Sequence, residues 1–110
     1  MTHLEKSLSA IQQEVDDYIQ QFKTGYFSPL GQLARLTEEV GELAREVNHH
    51  YGEKQKKVSE ETKELHEELG DTLFVIVSLA NSLDIDLTEA FDGTMKKFNE
   101  RDANRFERKE

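Results

Sequence analysis

Apolar side chains return in this chain at every third or fourth position, in four successive runs. Leu4, Leu8, Ile11, Val15, Ile19 and Phe22 form the first. Leu33, Leu36, Val40, Leu43 and Val47 form the second, and Leu65, Leu69, Thr72, Ile76, Leu79 and Leu83 the third. Leu87, Ala90, Phe91, Thr94 and Phe98 form the fourth. A helix turns once in 3.6 residues and a strand alternates every two, so this rhythm predicts helices and no sheet. The expected spans are Thr2–Phe22, Pro29–His50, Ser59–Leu83 and Leu87–Asp102. Four amphipathic helices with short joins define an all-α four-helix bundle.

The punctuation agrees with the rhythm. Thr2 and Glu5 have the spacing of a capping box, as do Asp86 and Glu89. Gly25 permits a turn, and Ser28–Pro29 reads as an N-cap followed by proline at the first helical position. Gly52 and the polar stretch after it, with Lys54, Lys56 and Lys57, make the longest loop, and those lysines read as solvated. The chain is read as one domain over 1–110, with a charged tail that frays from about residue 103.

Composition narrows what such a bundle does. Only 35% of the 110 residues are hydrophobic and 34% are charged, which is polar for a compact monomer. The third run is nevertheless apolar nearly all round at LFVIVSLA, residues 73–80, and predicts burial on several sides. A second copy of the chain is the simplest cover. The net charge of −9 disfavours nucleic acid and anionic membranes as partners. The absence of cysteine excludes disulfides and thiolate zinc sites. With no apolar leader at the N-terminus and no run long enough to span a bilayer, the expected location is the cytoplasm.

Two acidic pentads carry the chemistry: EEVGE at 38–42 and EELGD at 67–71. At 100° per residue, Glu39 and Glu42 lie about 60° apart on the flank of their apolar stripe, and Glu68 and Asp71 repeat that relation. If the two helices pack antiparallel, four carboxylates converge in one cleft. Gly41 and Gly70 each cost about 1 kcal/mol against alanine inside a helix. Close approach of the two backbones would explain them. Converging carboxylates repel, so some must be protonated or a hard cation must sit among them. An all-oxygen set suits Mg²⁺, with Mn²⁺ as a substitute, and such a cation would activate water and neutralise phosphate charge. Glu38 and Glu67 point further out, and Glu38 is a candidate general base.

Other residues have plainer readings beside functional ones. Lys97 and Arg101 suit the end of a helix through its dipole, or clamp a phosphate. Arg35 pairs with Glu39 one turn on. Tyr26 and Phe27 read as packing over the bundle end rather than stacking on a nucleobase. His49 and His50 read as helix-end surface residues rather than metal ligands.

The pattern E38-E39-x-x-E42 followed by E68-x-x-D71 resembles the signature of the MazG-like nucleoside triphosphate pyrophosphohydrolases. These belong to the all-α NTP pyrophosphatase group. K97-F98-x-x-R101 resembles a further element of that family, and the likeness spans nearly the whole chain. It implies hydrolysis of a nucleoside triphosphate to monophosphate and pyrophosphate by water attacking the α-phosphorus. It implies Mg²⁺ on Glu39, Glu42, Glu68 and Asp71, with Glu38 positioning or deprotonating water. It implies phosphates held by Lys97, Arg101 and Arg35, and a homodimer or dimer of dimers. Two alternatives stay open: phosphoribosyl-ATP cleavage on the same scaffold, and a non-catalytic helical module whose acidic cleft binds a cation or a basic partner.

Overall fold

A computed structural model describes residues 4–51 and 58–109, with backbone alone for 58–63. It contains α1 (Leu8–Ile19), α2 (Pro29–Tyr51), α3 (Val58–Ser82) and α4 (Leu87–Arg101), and no strand among the described residues. The all-α expectation of four helices holds.

Three helix starts follow the side-chain chemistry. Pro29 opens α2, and the Gly31 N–H donates to Ser28 Oγ at 3.1 Å. Asp86 caps α4 by accepting from the N–H groups of Thr88 and Glu89 at 2.8 and 3.3 Å. The first helix is shorter than its apolar rhythm suggests. It begins at Leu8, capped by Ser7, whose Oγ accepts from the Ala10 N–H at 3.0 Å. Thr2 lies outside the described residues, and Leu4 is solvent-exposed and not helical. A good cap at Ser7 stops the helix before the stripe runs out. Its other end is Ile19, so Phe22 lies in the connecting turn.

α3 ends in a Schellman turn: Ile85 N–H bonds Ala80 O at 2.9 Å and Asp84 N–H bonds Asn81 O at 3.2 Å. Asp84 takes the left-handed conformation at φ 55°, one that aspartate tolerates better than most residues. Gly25, at φ 63°, turns the chain between α1 and α2.

α2 and α3 form the main packing unit, antiparallel, because Gln32 meets Ser78 and Ser82 while Glu42 meets Glu68. α1 packs on α3, and α4 packs on α1. Val15, Val75, Val77 and Ala80 are the buried apolar residues. Only part of the expected third stripe is covered: Thr72 is buried, whereas Leu69, Leu73, Ile76 and Leu83 are exposed along one side of α3. Leu33, Val40, Val47 and Tyr51 are exposed along one side of α2. Measured from the seam, both stripes are offset by about 100° in the same sense. In an antiparallel pair that places them on one face of the hairpin.

The inward face expected for α4 is also uncovered: Ala90, Phe91 and Phe98 are exposed, and no residue of α4 is buried. The radius of gyration is 17.4 Å, against about 13 Å for a compact chain of this length. One copy of the chain does not close the bundle.

Gly41 and Gly70 correct another expectation. A Cβ built on either meets nothing within 4 Å. Both lie away from the seam, so close helix approach is not their reason, and nothing among the described residues explains them. From Asp102 the chain turns out of α4, and Arg101 and Arg105 both pair with the Asp102 carboxylate.

Candidate metal and nucleotide site

The α2–α3 seam buries polar groups in several places. At the first, one carboxylate oxygen from each of Glu39, Glu42 and Glu68 lies within 4.8 Å of the others. Among the described residues this is the only such group of three or more potential metal-ligating side chains. Glu39 and Glu68 sit half-buried in the seam and Glu42 is exposed at its edge. Glu39 Oε2 and Glu68 Oε2 are cut off from solvent and have no hydrogen-bond partner.

The electrostatics match the geometry. Burial first, then the charges of Glu42 and Asp71, push the Glu39 carboxyl above its ordinary value, with Arg35 opposing and Glu38 adding to the rise. Burial also leads at Glu68, followed by the charges of Glu42, Asp71 and Glu39 and a hydrogen bond with Glu42. A dry, like-charged group holds a proton until something positive replaces it. A divalent cation with oxygen ligands fits this donor set: three carboxylates, two with orphaned oxygens, and no sulfur.

The structure thus brings Glu39, Glu42 and Glu68 together. Asp71 is exposed and lies outside the tight trio, but its charge acts on two of the three. Glu38 and Glu67 are exposed on the outer flank. Arg35 lies over the Phe74 ring, 5.7 Å from its centroid, beside the carboxylates. Lys97 and Arg101 are not brought to the site within this chain. They lie on α4, against the Phe98 ring at 5.0 and 5.3 Å, and Arg101 grips Asp102 at 3.0 Å. His49 and His50 are half-buried at the end of α2 and do not join the trio. Lys54, Lys56 and Lys57 lie outside the described residues.

Sequence reasoning missed two features. Glu46, one turn beyond Glu42, is buried at 4% exposure, with Arg45 Nε and His49 Nδ1 each 3.9 Å from its Oε1. The second feature is an aromatic cleft of about 350 Å³, lined by Tyr18, Phe22, Tyr26, Phe27, Phe74 and Arg35 among others. Tyr18 meets Phe22 and Phe74 edge-on, with centroids 5.4 and 6.0 Å away. Tyr26 is held by its hydroxyl, which donates to Asp16 Oδ1 at 2.6 Å and accepts from Asn81 Nδ2 at 3.1 Å. Burial and the Asp16 carboxylate push its pKa up to about 12. Tyr26 therefore packs, as expected, but Phe27 stays largely exposed at the cleft. Arg35 lines the cleft and its charge also acts on Glu39, which links the cleft to the carboxylates.

A helical hairpin with an acidic trio in its seam offers a candidate site for a divalent cation. Comparison shows the family. Residues 27–106 match the MazG nucleotide pyrophosphohydrolase domain, and the chain belongs to that family. It is 65% identical over 106 residues to YpjD of Bacillus subtilis strain 168, covering 96% of each chain. The crystal structure of B. subtilis YpjD superposes with a TM-score of 0.81, over 88% of this chain and 99% of that one. The Bacillus-conserved MazG protein, a nucleotide pyrophosphohydrolase, is 56% identical with a TM-score of 0.77, over 88% of this chain and 94% of its own.

Proposed function

We propose that the chain hydrolyses nucleoside triphosphates at the α-phosphorus, releasing nucleoside monophosphate and pyrophosphate. The observation that carries this is the pair of orphaned buried oxygens on Glu39 and Glu68, within reach of Glu42. Glu39, Glu42 and Glu68 hold Mg²⁺, or Mn²⁺ in its place, and Asp71 completes the acidic set. When bound, the cation neutralises phosphate charge and activates water. Glu38, on the solvent side of Glu39, would orient the attacking water and accept its proton. Arg35, between the aromatic cleft and the carboxylates, contacts the phosphates, and the base lies among the rings of the cleft.

The exposed apolar face of the α2–α3 hairpin and the uncovered face of α4 support a homodimer or a dimer of dimers. In such an assembly Lys97 and Arg101 contact phosphates from a neighbouring copy. Sedimentation of the wild type and of Ile76→Glu tests this: the wild type is expected as an oligomer and the variant as a smaller species. A wild-type monomer at working concentration overturns the assembly.

Product analysis tests the reaction. The purified protein is incubated with a panel of ordinary and modified nucleoside triphosphates, with Mg²⁺ and with chelator. Metal-dependent monophosphate plus pyrophosphate is expected. Diphosphate plus phosphate would place the cleavage at the wrong bond. Turnover of phosphoribosyl-ATP alone would move the chain to that substrate. No turnover by folded protein that binds Mg²⁺ would leave a binding module.

A further inference from the structure

The second polar spot on the seam is Gln32, in the first turn of α2 and only 3% exposed. An apolar residue would fill this position without the cost of burying an amide. The amide is instead fully engaged. Its Oε1 accepts from Ser78 Oγ at 2.8 Å. Its Nε2 donates to Ser82 Oγ at 2.9 Å and to the Phe27 carbonyl at 2.7 Å. The first two partners belong to α3, and the third belongs to the turn that walls the aromatic cleft. Gln32 therefore ties that turn to α3, in addition to the tie made by Tyr26 to Asp16 and Asn81. Phe27 itself is 57% exposed.

We propose that Gln32 is a positioning residue for the base end of the substrate: it fixes the Phe27 backbone so that the aromatic cleft is formed before a nucleotide arrives. This rests on the reading above that the cleft takes the base. A preformed wall saves the ordering cost that a loose turn would impose on binding. The role concerns affinity for the base and leaves the carboxylates, and hence the metal and the phosphates, untouched.

The test is calorimetric binding of a nucleoside monophosphate, which carries the base, and of pyrophosphate, which lacks it, both with Mg²⁺. Three variants are compared. Gln32→Met keeps length and loses every hydrogen bond. Gln32→Glu keeps an acceptor for Ser78 and loses the donor to Phe27. Ser82→Ala removes one partner of Gln32 but spares the bond to Phe27. In both Gln32 variants monophosphate affinity is expected to fall about tenfold, the upper end of one net hydrogen bond. Pyrophosphate affinity is expected to stay within about twofold, and KM is expected to rise with kcat unchanged. Ser82→Ala is expected to lower the melting temperature without changing monophosphate affinity.

Equal loss for monophosphate and pyrophosphate overturns the proposal, as does a Ser82→Ala defect matching that of the Gln32 variants. Either would make Gln32 merely structural. If Gln32→Met fails to fold, Gln32→Glu and Ser82→Ala still decide. Wild-type protein that binds pyrophosphate but no monophosphate overturns the reading of the cleft, and the role of Gln32 with it. Monophosphate binding without turnover overturns only the reaction.

Discussion

Gln32 and the Glu39–Glu42–Glu68 trio lie on the same helix seam, two turns apart, and treat buried polarity in opposite ways. At Gln32 every side-chain polar atom is paired. At the trio two oxygens are dry and unpaired, and the carboxyls around them are pushed toward protonation. The first arrangement holds the fold together. The second leaves unmet bonding capacity in the same seam, which supports its reading as a ligand site. Removing polarity at the two places should therefore have opposite consequences for stability.

The largest expected effect is on activity. Even groups that only hydrogen-bond to metal ligands lose 10–100-fold when mutated, so Glu68→Gln is expected to cost about 100-fold or more in kcat/KM. Steady-state kinetics beside a thermal melt checks this, and a folded, fully active Glu68→Gln protein would remove Glu68 from the site. Gln32→Ala should lose stability as well as affinity for the base. It leaves the Phe27 carbonyl and two serines without their partner and should cost about 2 kcal/mol in denaturant unfolding, with or without Mg²⁺. Without metal, Glu68→Gln should instead melt higher than wild type at neutral pH, because it removes a repelling charge.

The pH dependence sharpens the contrast. In the metal-free native state the carboxyls of Glu39 and Glu68 are pushed above their ordinary value, by burial first and then by neighbouring carboxylates, so just above the ordinary range the native chain binds more protons there than the unfolded chain. Stability from this source is present at low pH and is lost as pH rises through the native titration range. The melting temperature of chelated protein should therefore rise on acidification from neutral pH toward the ordinary carboxylate range. Saturating Mg²⁺ should flatten that slope. A chelated protein that loses stability over the same interval would mean that other groups dominate.

The smallest effect is a control. Ser28→Ala and Asp86→Ala each remove a helix cap and should cost about 1 kcal/mol. Neither should alter the pH slope or the Mg²⁺ dependence. If either does, the contrast between the two polar spots is not local to the seam.

Much of this protein is legible in its residues. The 3–4 apolar rhythm fixes four helices, and Ser28–Pro29 and Asp86 place two starts, because caps and periodicity are local. The matched phase of EEVGE and EELGD foretells that their carboxylates meet, given one antiparallel pairing. Other features depend on what packs against what. Periodicity marks Leu69, Ile76, Phe91 and Phe98 as apolar-face residues, yet a single chain supplies too few surfaces to cover them. Glycine in a helix suggests close approach, yet Gly41 and Gly70 face open space. The polar role of Gln32 has no sequence signal, since its partners are 46 and 50 residues away and one turn before it. The sequence by itself determined the helices, the acidic pairs and the family they belong to. The tertiary structure decided which carboxylates lose their water, which aromatic rings share a cleft and which apolar faces stay uncovered. Those outcomes are set by burial, and burial depends on neighbours distant in the chain.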